Sequence, residues 1–209
     1  MTKQIKIIVA LLMVLSMLAF AGCSKTNDTA EEPAEPETAQ AEEQVEVTDE
    51  SGKDTLVVYF SATGTTKGVA EKIASITGAD IYEIKAAQEY TEADLDWNDS
   101  DSRTTHEQND KSVRPEIGSD PVSLEGYSTI YIGFPIWWGE EPRIMDTFVE
   151  SYDFDGKTMI PFCTSGGSGI GMSRKNLEKN AGSGTWKDGE RLDSSISEDE
   201  LKTWIDGIK

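Results

Sequence analysis

The stretch Leu56-Val57-Val58-Tyr59-Phe60-Ser61-Ala62-Thr63-Gly64-Thr65-Thr66 decides how this chain folds. Its first five residues are an unbroken apolar run of β-forming type, which predicts a strand buried on both faces of a parallel sheet. A short polar loop follows, and Val69, Ile73 and Ile76 then recur at the spacing of an amphipathic helix. A strand, a tight loop and a helix in this order indicate the beginning of an α/β domain.

The same alternation continues through residues 54–209, which are predicted to form one α/β domain. The other predicted elements are strands at 80–84, 129–134 and 158–163, a helix starting at Pro142, and a last helix with a capping box of Ser197 and Glu200. Pro161 lies inside the fourth strand and cannot donate to a ladder, so we expect a bulge or an early strand end there. Strands alternating with helices predict a doubly wound parallel sheet.

Composition excludes several classes of function. The chain has 39 acidic and 19 basic residues and a net charge of −20, whereas binding to nucleic-acid phosphates needs a basic surface. Two cysteines exclude a disulfide framework and a four-thiolate metal site, and a single histidine excludes the usual multi-histidine zinc sites.

Residues 1–22 have the features of a signal peptide. Lys3 and Lys6 precede an apolar run from Ile7 to Phe20, which is too short for a typical spanning helix. The run ends in Ala21-Gly22-Cys23, which resembles the lipobox of bacterial lipoproteins. That resemblance implies a lipid on Cys23 and an extracytoplasmic location on the membrane of a bacterium; the alternative is an ordinary cysteine.

Residues 23–53 are predicted to be a disordered linker. Positions 24–53 hold ten acidic residues, two lysines, two prolines and no aromatic residue, so they cannot bury enough apolar surface to offset the entropy of ordering. As flexible coil the segment would span roughly 30 Å. It would hold the folded domain away from the anionic membrane.

Residues 86–120 interrupt the alternation of strands and helices. The stretch is polar, with weak periodicity around Tyr90, Leu95 and Trp97. A long excursion without regular structure in a compact domain is usually a functional loop or a covering flap. The only histidine, His106, lies in this flap, where a solvated side chain is favoured over a catalytic one.

Ligands of open α/β sheets bind beyond the carboxyl ends of the strands, where three unusual loops follow strands one, three and four. Residues 61–66 offer hydroxyl groups, a glycine and the start of a helix, a combination that can bind phosphate without a cation. The spacing of a Walker loop is absent, and a Ser/Thr-rich helix cap is the alternative.

The second loop carries Trp137 and Trp138, which could stack on a planar ring or could belong to the core or an interface. The third loop, from Thr164, could present backbone amides to a polar ring edge. It has neither the dinucleotide-binding nor the nucleophile-elbow spacing. Cys163 precedes it and is interpreted as a small core residue rather than a redox thiol.

Together the three loops resemble those of the bacterial flavodoxin-like family, over residues 54–209. The resemblance implies a flavodoxin-like five-stranded parallel sheet of order 2-1-3-4-5, with helices on both faces, and one non-covalent FMN. The implied cofactor-binding residues are Ser61, Ala62, Thr63, Gly64, Thr65 and Thr66 at the phosphate, Pro135, Ile136, Trp137, Trp138 and Gly139 at the ring, and Thr164, Ser165, Gly166 and Gly167 at its pyrimidine side.

Three functions follow as alternatives. The chain could be a membrane-tethered electron carrier, with a redox protein or a small electron acceptor as partner. It could be an FMN-dependent oxidoreductase of the quinone- or nitro-reductase kind, with the flap forming a substrate pocket. It could also be a lipoprotein that binds a phosphorylated solute without redox chemistry. No nicotinamide motif is present, so the sequence favours electron transfer.

Overall fold

A computed structural model describes residues 54–208 of the chain. Its elements are, in order, β1 (Thr55–Phe60), α1 (Thr65–Thr77), β2 (Asp80–Ile84), α2 (Arg103–Asn109), β3 (Thr129–Pro135), α3 (Arg143–Glu150), β4 (Thr158–Thr164), α4 (Ser173–Ala181), β5 (Thr185–Trp186), β6 (Glu190–Arg191) and α5 (Glu198–Ile208). The predicted signal peptide (1–22), the linker (23–53) and Cys23 lie outside the described residues. None of the helices within 54–208 is long and apolar enough to cross a membrane.

The strands form a parallel sheet in the order β2-β1-β3-β4-β5, and β6 also pairs with β4. The fifth position is therefore shared by two strands of two residues each. This order confirms the fold that the sequence predicted. The order reverses between β1 and β3, which is where ligands bind in folds of this kind.

Helices cover both faces of the sheet. Alternate residues of a strand point to opposite faces, so each strand has apolar side chains to bury on both sides. Val58, Ile132 and Phe134 pack with the apolar residues of α3 and with Leu177 of α4. On the other face, residues of β1, β3 and β4 pack with the apolar stripes of α1 and α5. The continuous apolar runs of the strands are therefore explained by burial on both faces.

Pro161 produces neither a bulge nor an early strand end, so that expectation was wrong. The pairing of β3 with β4 runs without interruption, with Ile132 opposite Pro161. Lys187 donates to the carbonyl of Met159, and Leu192 donates to that of Cys163. Pro161 lies between these two acceptors and faces the interval between β5 and β6, where no donor is needed.

The flap at 86–120 contains more regular structure than the sequence predicted. Its base is closed by backbone hydrogen bonds from Ala87 to Glu116 and from Gly118 to Lys85, each of 2.8 Å. The helix α2 lies within it and is capped by the Ser102 side chain, which accepts a hydrogen bond from the Thr105 amide. The flap is therefore a folded excursion that begins and ends beside β2.

Candidate functional site

The loops that follow β1, β3 and β4 meet at the carboxyl edge of the sheet. They enclose a cleft of about 400 Å³ together with part of the flap. Its lining residues are Thr63, Leu95, Trp97, Thr104, Ile136, Trp137, Trp138, Gly139 and Ser168. Five of the residues predicted to bind a cofactor, Thr63 and 136–139, thus share one cleft.

The loop between β1 and α1 presents the start of a helix to this edge. Gly64 is the residue that precedes α1, with φ +86°, and it has no side chain that could cap the first turn. The first backbone amides of α1 have no partners within the helix. No atom lies within 4 Å of where a Cβ on Gly64 would be, so the space in front of the helix is open. The Thr63 and Thr65 hydroxyls lie 3.3 Å apart on the same exposed side.

Two other members of this loop lie deeper. The Ser61 hydroxyl oxygen is buried and has no hydrogen-bond partner within the described part of the chain. Ser61 and Ala62 also border a second cleft, of about 330 Å³, beside Glu89 and Tyr90. The hydroxyl of Thr66 is buried against that of Thr164 at 2.8 Å, so Thr66 faces the end of β4 rather than solvent.

The two tryptophans are held by a tight turn. Trp137 and Glu140 exchange backbone hydrogen bonds of 2.9 and 3.0 Å, and φ is positive at both residues between them, +49° at Trp138 and +80° at Gly139. Positive φ at both central positions is typical of a type I′ turn. Trp138 is the only residue other than glycine with positive φ within 54–208. This backbone conformation costs an L-residue about 1–2 kcal/mol.

The tryptophans have different surroundings. Trp137 is half-buried and packs edge-on against Phe60, at 5.6 Å between ring centroids, and against Tyr90, at 5.2 Å. Trp138 remains 43% exposed at the mouth of the cleft. The geometry therefore gives Trp137 a packing role besides its place in the cleft, and it leaves the Trp138 ring free to cover a ligand.

The glycine-rich loop after β4 continues the same edge. Pro135 pairs with Thr164, and the amide of Ile136 donates to the Thr164 carbonyl at 2.9 Å, which joins the second loop to the third. The Ser165 hydroxyl donates to the Ser168 carbonyl and accepts from the Gly167 amide. No atom lies within 4 Å of a Cβ on Gly166 or Gly167, so this backbone is open to close approach.

The flap is fixed to the tryptophan turn. The Gln108 side chain donates to the carbonyls of Trp137 at 2.8 Å and Glu141 at 3.2 Å. Lys111 donates to Glu140 at 2.8 Å, which together with Arg143 holds the pKa of that carboxyl below its usual value. The flap wall of the cleft is therefore a built part of the site.

A buried polar network supports the turn from behind. The Arg143 guanidinium is 2.7 Å from Glu140, 3.3 Å from Asp146 and 3.6 Å from Glu141. Glu141 and Asp146 are buried, and burial raises the pKa of both carboxyls. Asn176 and Asn180 of α4 donate to Glu141 and Asp146 respectively. One guanidinium thus serves three carboxyl groups.

Cys163 and His106 are the two other side chains that the sequence raised as reactive candidates. Cys163 is buried in the sheet, and burial raises the pKa of its thiol to about 12, which agrees with the interpretation as a core residue. His106 lies exposed on α2. Within residues 54–208 no group of three or more His, Cys, Asp or Glu side chains could hold a metal ion.

The flap contribution to the cleft extends what the sequence indicated. Leu95 and Trp97 were noted in the flap without a role, whereas Thr104 and Gln108 carried no signal, since polar residues on a short helix are common. Ser168 lies within the glycine-rich run, whose composition could have indicated it.

The residues present fit a phosphorylated ligand with a planar ring. Hydroxyls, uncapped helix amides and an unpartnered buried Ser61 oxygen suit a phosphate without a cation. The tryptophan turn offers apolar ring surface, and the glycine-rich loop offers open backbone. Fold and site together are those of a flavodoxin-type α/β protein.

Comparison with protein families agrees with this architecture. The family model described as flavodoxin matches residues 54–208, and the chain therefore belongs to this flavodoxin family. A search among curated proteins finds no match.

Solved structures resemble the chain over most of their own length. A flavoprotein from Bacteroides eggerthii is 46% identical, with a TM-score of 0.70, and covers 75% of this chain and 98% of its own. A flavoprotein from Bacteroides uniformis is 49% identical, with a TM-score of 0.70, over 74% and 99%. A flavoprotein from Lactobacillus acidophilus, solved in complex with FMN, is 27% identical, with a TM-score of 0.55, over 74% and 99%.

Proposed function

We propose that this chain is an FMN-binding electron-transfer protein, tethered to the extracytoplasmic face of a bacterial membrane through a lipid on Cys23. The observation that supports the FMN site most strongly is the convergence of three loops, distant in sequence, on one edge of the sheet. They supply a phosphate-binding helix start, ring surface and open backbone side by side. The FMN complex of the Lactobacillus acidophilus flavoprotein supports the same ligand.

The residues divide between the two ends of FMN. Ser61, Thr63 and Thr65 would donate hydroxyl hydrogen bonds to the phosphate, beside the first amides of α1. Thr66 would contribute its amide, because its hydroxyl is bound to Thr164. The Trp137–Trp138 turn would cover the ring, and residues 164–167 would offer amides to its pyrimidine side. Bound FMN would supply one- and two-electron redox chemistry.

The charge of the surroundings favours a low reduction potential. Neither the phosphate loop at 61–66 nor the loop at 164–171 contains a Lys or Arg side chain. Glu140 and Glu141, which follow the tryptophan turn, are paired with Lys111 and Arg143, so the negative surroundings come from the net charge of −20 of the chain as a whole. Added electron density on a flavin would meet like charge, which disfavours the reduced anionic form.

The tether is proposed from sequence alone. The apolar run that ends in Ala21-Gly22-Cys23 is the support for lipid attachment, and the acidic composition of residues 24–53 is the support for a spacer. Such a spacer would leave the domain free to meet a redox partner.

One observation favours an FMN-dependent oxidoreductase as the second candidate. The flap supplies three residues to the wall of the cleft, Leu95, Trp97 and Thr104, and is fixed to the tryptophan turn by Gln108. This wall would give a small substrate a bounded place beside the ring of the flavin. The remaining alternative is a lipoprotein that binds another phosphorylated solute. That function would need only the three loops and would give the flap no role.

An absorption spectrum of the purified full-length protein, followed by stepwise reduction, tests the proposal. We expect a flavin spectrum, FMN released on denaturation, and two resolved one-electron steps with a low second potential. Turnover of a nicotinamide cofactor with a quinone would favour the oxidoreductase. A colourless protein that takes up no added FMN would contradict both redox functions.

A further inference from the structure

Trp97 is a large apolar side chain on the surface, and the proposed function gives it no role. Among residues 54–208, four large apolar side chains are strongly exposed: Ile81, Trp97, Trp138 and Met172. Trp97 is the most exposed, at 73%, and it lines the cleft together with Trp138. Two exposed tryptophan rings at one cleft form apolar surface of the kind that marks a ligand-binding groove, unlike a single scattered side chain.

The loop that carries Trp97 is fixed at several points. The carbonyl of Asp94 accepts hydrogen bonds from the Thr104 amide at 3.1 Å and from the Thr104 hydroxyl at 2.7 Å. The Asp99 carbonyl accepts from the Thr105 hydroxyl at 2.9 Å. Local hydrogen bonds of the Asp96 and Asp99 side chains close the turns between them. The exposure of Trp97 is therefore a property of a structured loop.

The residues that line the cleft come from two parts of the chain. Thr63, the tryptophan turn and Ser168 come from the carboxyl edge of the sheet, and they belong to the loops that are proposed to hold the flavin. Leu95, Trp97 and Thr104 come from the flap. The 73% exposure of Trp97 leaves most of its ring unpacked. The flap wall is thus available for a second planar molecule.

The charges around Trp97 limit which molecules can bind there. Residues 91–102 hold five acidic residues and no lysine or arginine. The neighbouring Arg103 is paired with Glu107 at 2.7 Å and lies 3.9 Å above the Tyr90 ring, so its charge is already engaged. An anionic ligand would meet uncompensated repulsion, whereas a neutral or cationic one would not.

We propose that Trp97, with Leu95 beside it and the buried Thr104 fixing their loop through the Asp94 carbonyl, forms a binding subsite for a planar aromatic molecule without negative charge. Such molecules, quinones and cationic ring compounds, are small electron acceptors. Reduced FMN would be oxidised by giving up two electrons, and a quinone that takes them together with two protons from water would become the quinol. The inference rests on the proposed function, because the other side of the cleft must hold the flavin. Trp97 supplies the stacking surface, and the acidic residues supply the selection by charge.

The test uses full-length protein loaded with FMN in the oxidised state, so that binding is measured without reaction. Equilibrium dialysis compares a neutral naphthoquinone, 2-methyl-1,4-naphthoquinone, with the dianion anthraquinone-2,6-disulfonate. The variants are Trp97→Ala, Trp97→Phe and, as a matched loss of exposed apolar surface outside the cleft, Ile81→Ala. FMN affinity is measured first for every variant.

We expect Trp97→Ala to weaken binding of the naphthoquinone about tenfold, since a stacking ring is lost. Trp97→Phe retains a ring and should remain within about threefold of wild type. Ile81→Ala should match wild type, and all three should bind FMN normally. The double variant Asp96→Asn/Asp99→Asn keeps the acceptor oxygens and should improve binding of the disulfonate at low salt, but not that of the naphthoquinone.

Different results would contradict the proposed function and the subsite. Wild-type protein that takes up no FMN would contradict the proposed function. Wild-type protein that binds FMN, with naphthoquinone affinity unchanged in Trp97→Ala, would overturn the subsite alone. The subsite is equally overturned if Trp97→Ala weakens FMN as much as it weakens the quinone, because the ring would then cover the cofactor itself.

Discussion

The hydroxyl groups of Thr66 and Thr164 lie 2.8 Å apart in the interior and join the first turn of α1 to the end of β4. Both side chains are buried. The loop proposed to hold phosphate is therefore hydrogen-bonded to the strand from which the glycine-rich loop starts. The relative position of the two halves of the site depends on a contact between residues 98 positions apart.

This contact can be measured by a double-mutant cycle. Thr66→Val leaves the Thr164 hydroxyl buried without this partner, and we expect the free energy of unfolding to fall by about 1–3 kcal/mol. Thr164→Val should act similarly. The double variant should lose less than the sum, because no orphaned hydroxyl remains. Urea denaturation gives the three values, and strict additivity would show that the two hydroxyls do not interact.

Trp138 should show opposite effects on stability and binding. Asparagine tolerates positive φ better than tryptophan, so Trp138→Asn should leave the free energy of unfolding unchanged or raise it by about 1 kcal/mol. FMN affinity should fall about tenfold through loss of a stacking ring. Urea denaturation and titration of the apo protein with FMN measure the two quantities.

The comparison variant is Trp137→Ala. Its ring packs against Phe60 and Tyr90, so we expect a loss of about 3 kcal/mol of unfolding free energy. FMN affinity and both reduction midpoints should be measured for Trp137→Ala and Trp138→Ala separately. If FMN affinity and both reduction midpoints are unchanged in both variants, the two tryptophans have only a structural role.

Glu141 should make the stability of the fold depend on pH. Burial raises the pKa of this carboxyl above its unfolded value of 4.5, so the folded state retains the proton more strongly. Its contribution to stability is fully present below the unfolded pKa and is lost as pH rises through the folded pKa. Glu141→Gln cannot ionise, and it should flatten the decline in unfolding free energy as the pH rises above 4.5, by at most about 1.4 kcal/mol per pH unit.

Asp146 adds to the same trend, since burial raises the pKa of its carboxyl as well. Urea denaturation at several pH values should therefore include Asp146→Asn, with exposed Glu125→Gln as the control. A pH profile of Glu141→Gln that parallels wild type would mean that Glu141 stays ionised through its contact with Arg143.

Lipid attachment is expected at Cys23. The Cys23→Ser variant should no longer incorporate labelled fatty acid, whereas the α/β domain should still fold, because it is predicted to begin 31 residues later, at residue 54. Metabolic labelling with a fatty acid, followed by membrane fractionation, measures this. Labelling that persists in the serine variant would show that the lipid is attached elsewhere or that the lipobox interpretation is wrong.

The sequence predicted the elements that carry long apolar patterns. The runs of β1, β3 and β4 and the stripes of α1, α3 and α5 have enough apolar positions to show their period. The helix α4 buries only Ser173 and Leu177, and β5 and β6 have two residues each, too few to show any period. The gap between β5 and β6 also explains why the prediction for Pro161 was wrong. The sequence of β4 does not show that the neighbouring strand is interrupted opposite this proline.

The site was predictable where it follows from topology. Parallel strands bring their carboxyl ends to one edge, which is why loops at 61–66, 135–139 and 164–167 could be assigned together. The sequence indicated a covering flap, but it did not show that Leu95 and Thr104 reach the cleft, because the flap is fixed there through hydrogen bonds such as that of Gln108 to Trp137. The positive φ of Trp138 was equally hidden, since Trp-Gly is not a usual sequence for such a turn.

The proposed FMN site depends most on the start of α1, where the phosphate of FMN is expected to bind. Two substitutions at Gly64 separate its effects. Gly64→Ala adds a Cβ at φ +86° in open space, so it introduces backbone strain with little steric clash. Gly64→Asp adds the same strain and a negative charge beside the phosphate. Thr65→Ala removes one hydroxyl, about 1.5–3 kcal/mol for a hydrogen bond to a charged group.

Calorimetric titration of the apo protein with FMN and with riboflavin tests this claim most directly. We predict that wild type binds FMN at least a hundredfold more tightly than riboflavin, because several charge-assisted hydrogen bonds are lost with the phosphate. Gly64→Asp should lose most of that preference, Gly64→Ala less, and riboflavin affinity should change little in either. Equal affinity of wild type for the two ligands, or FMN binding by Gly64→Asp that matches wild type, would show that the loop is only a helix cap.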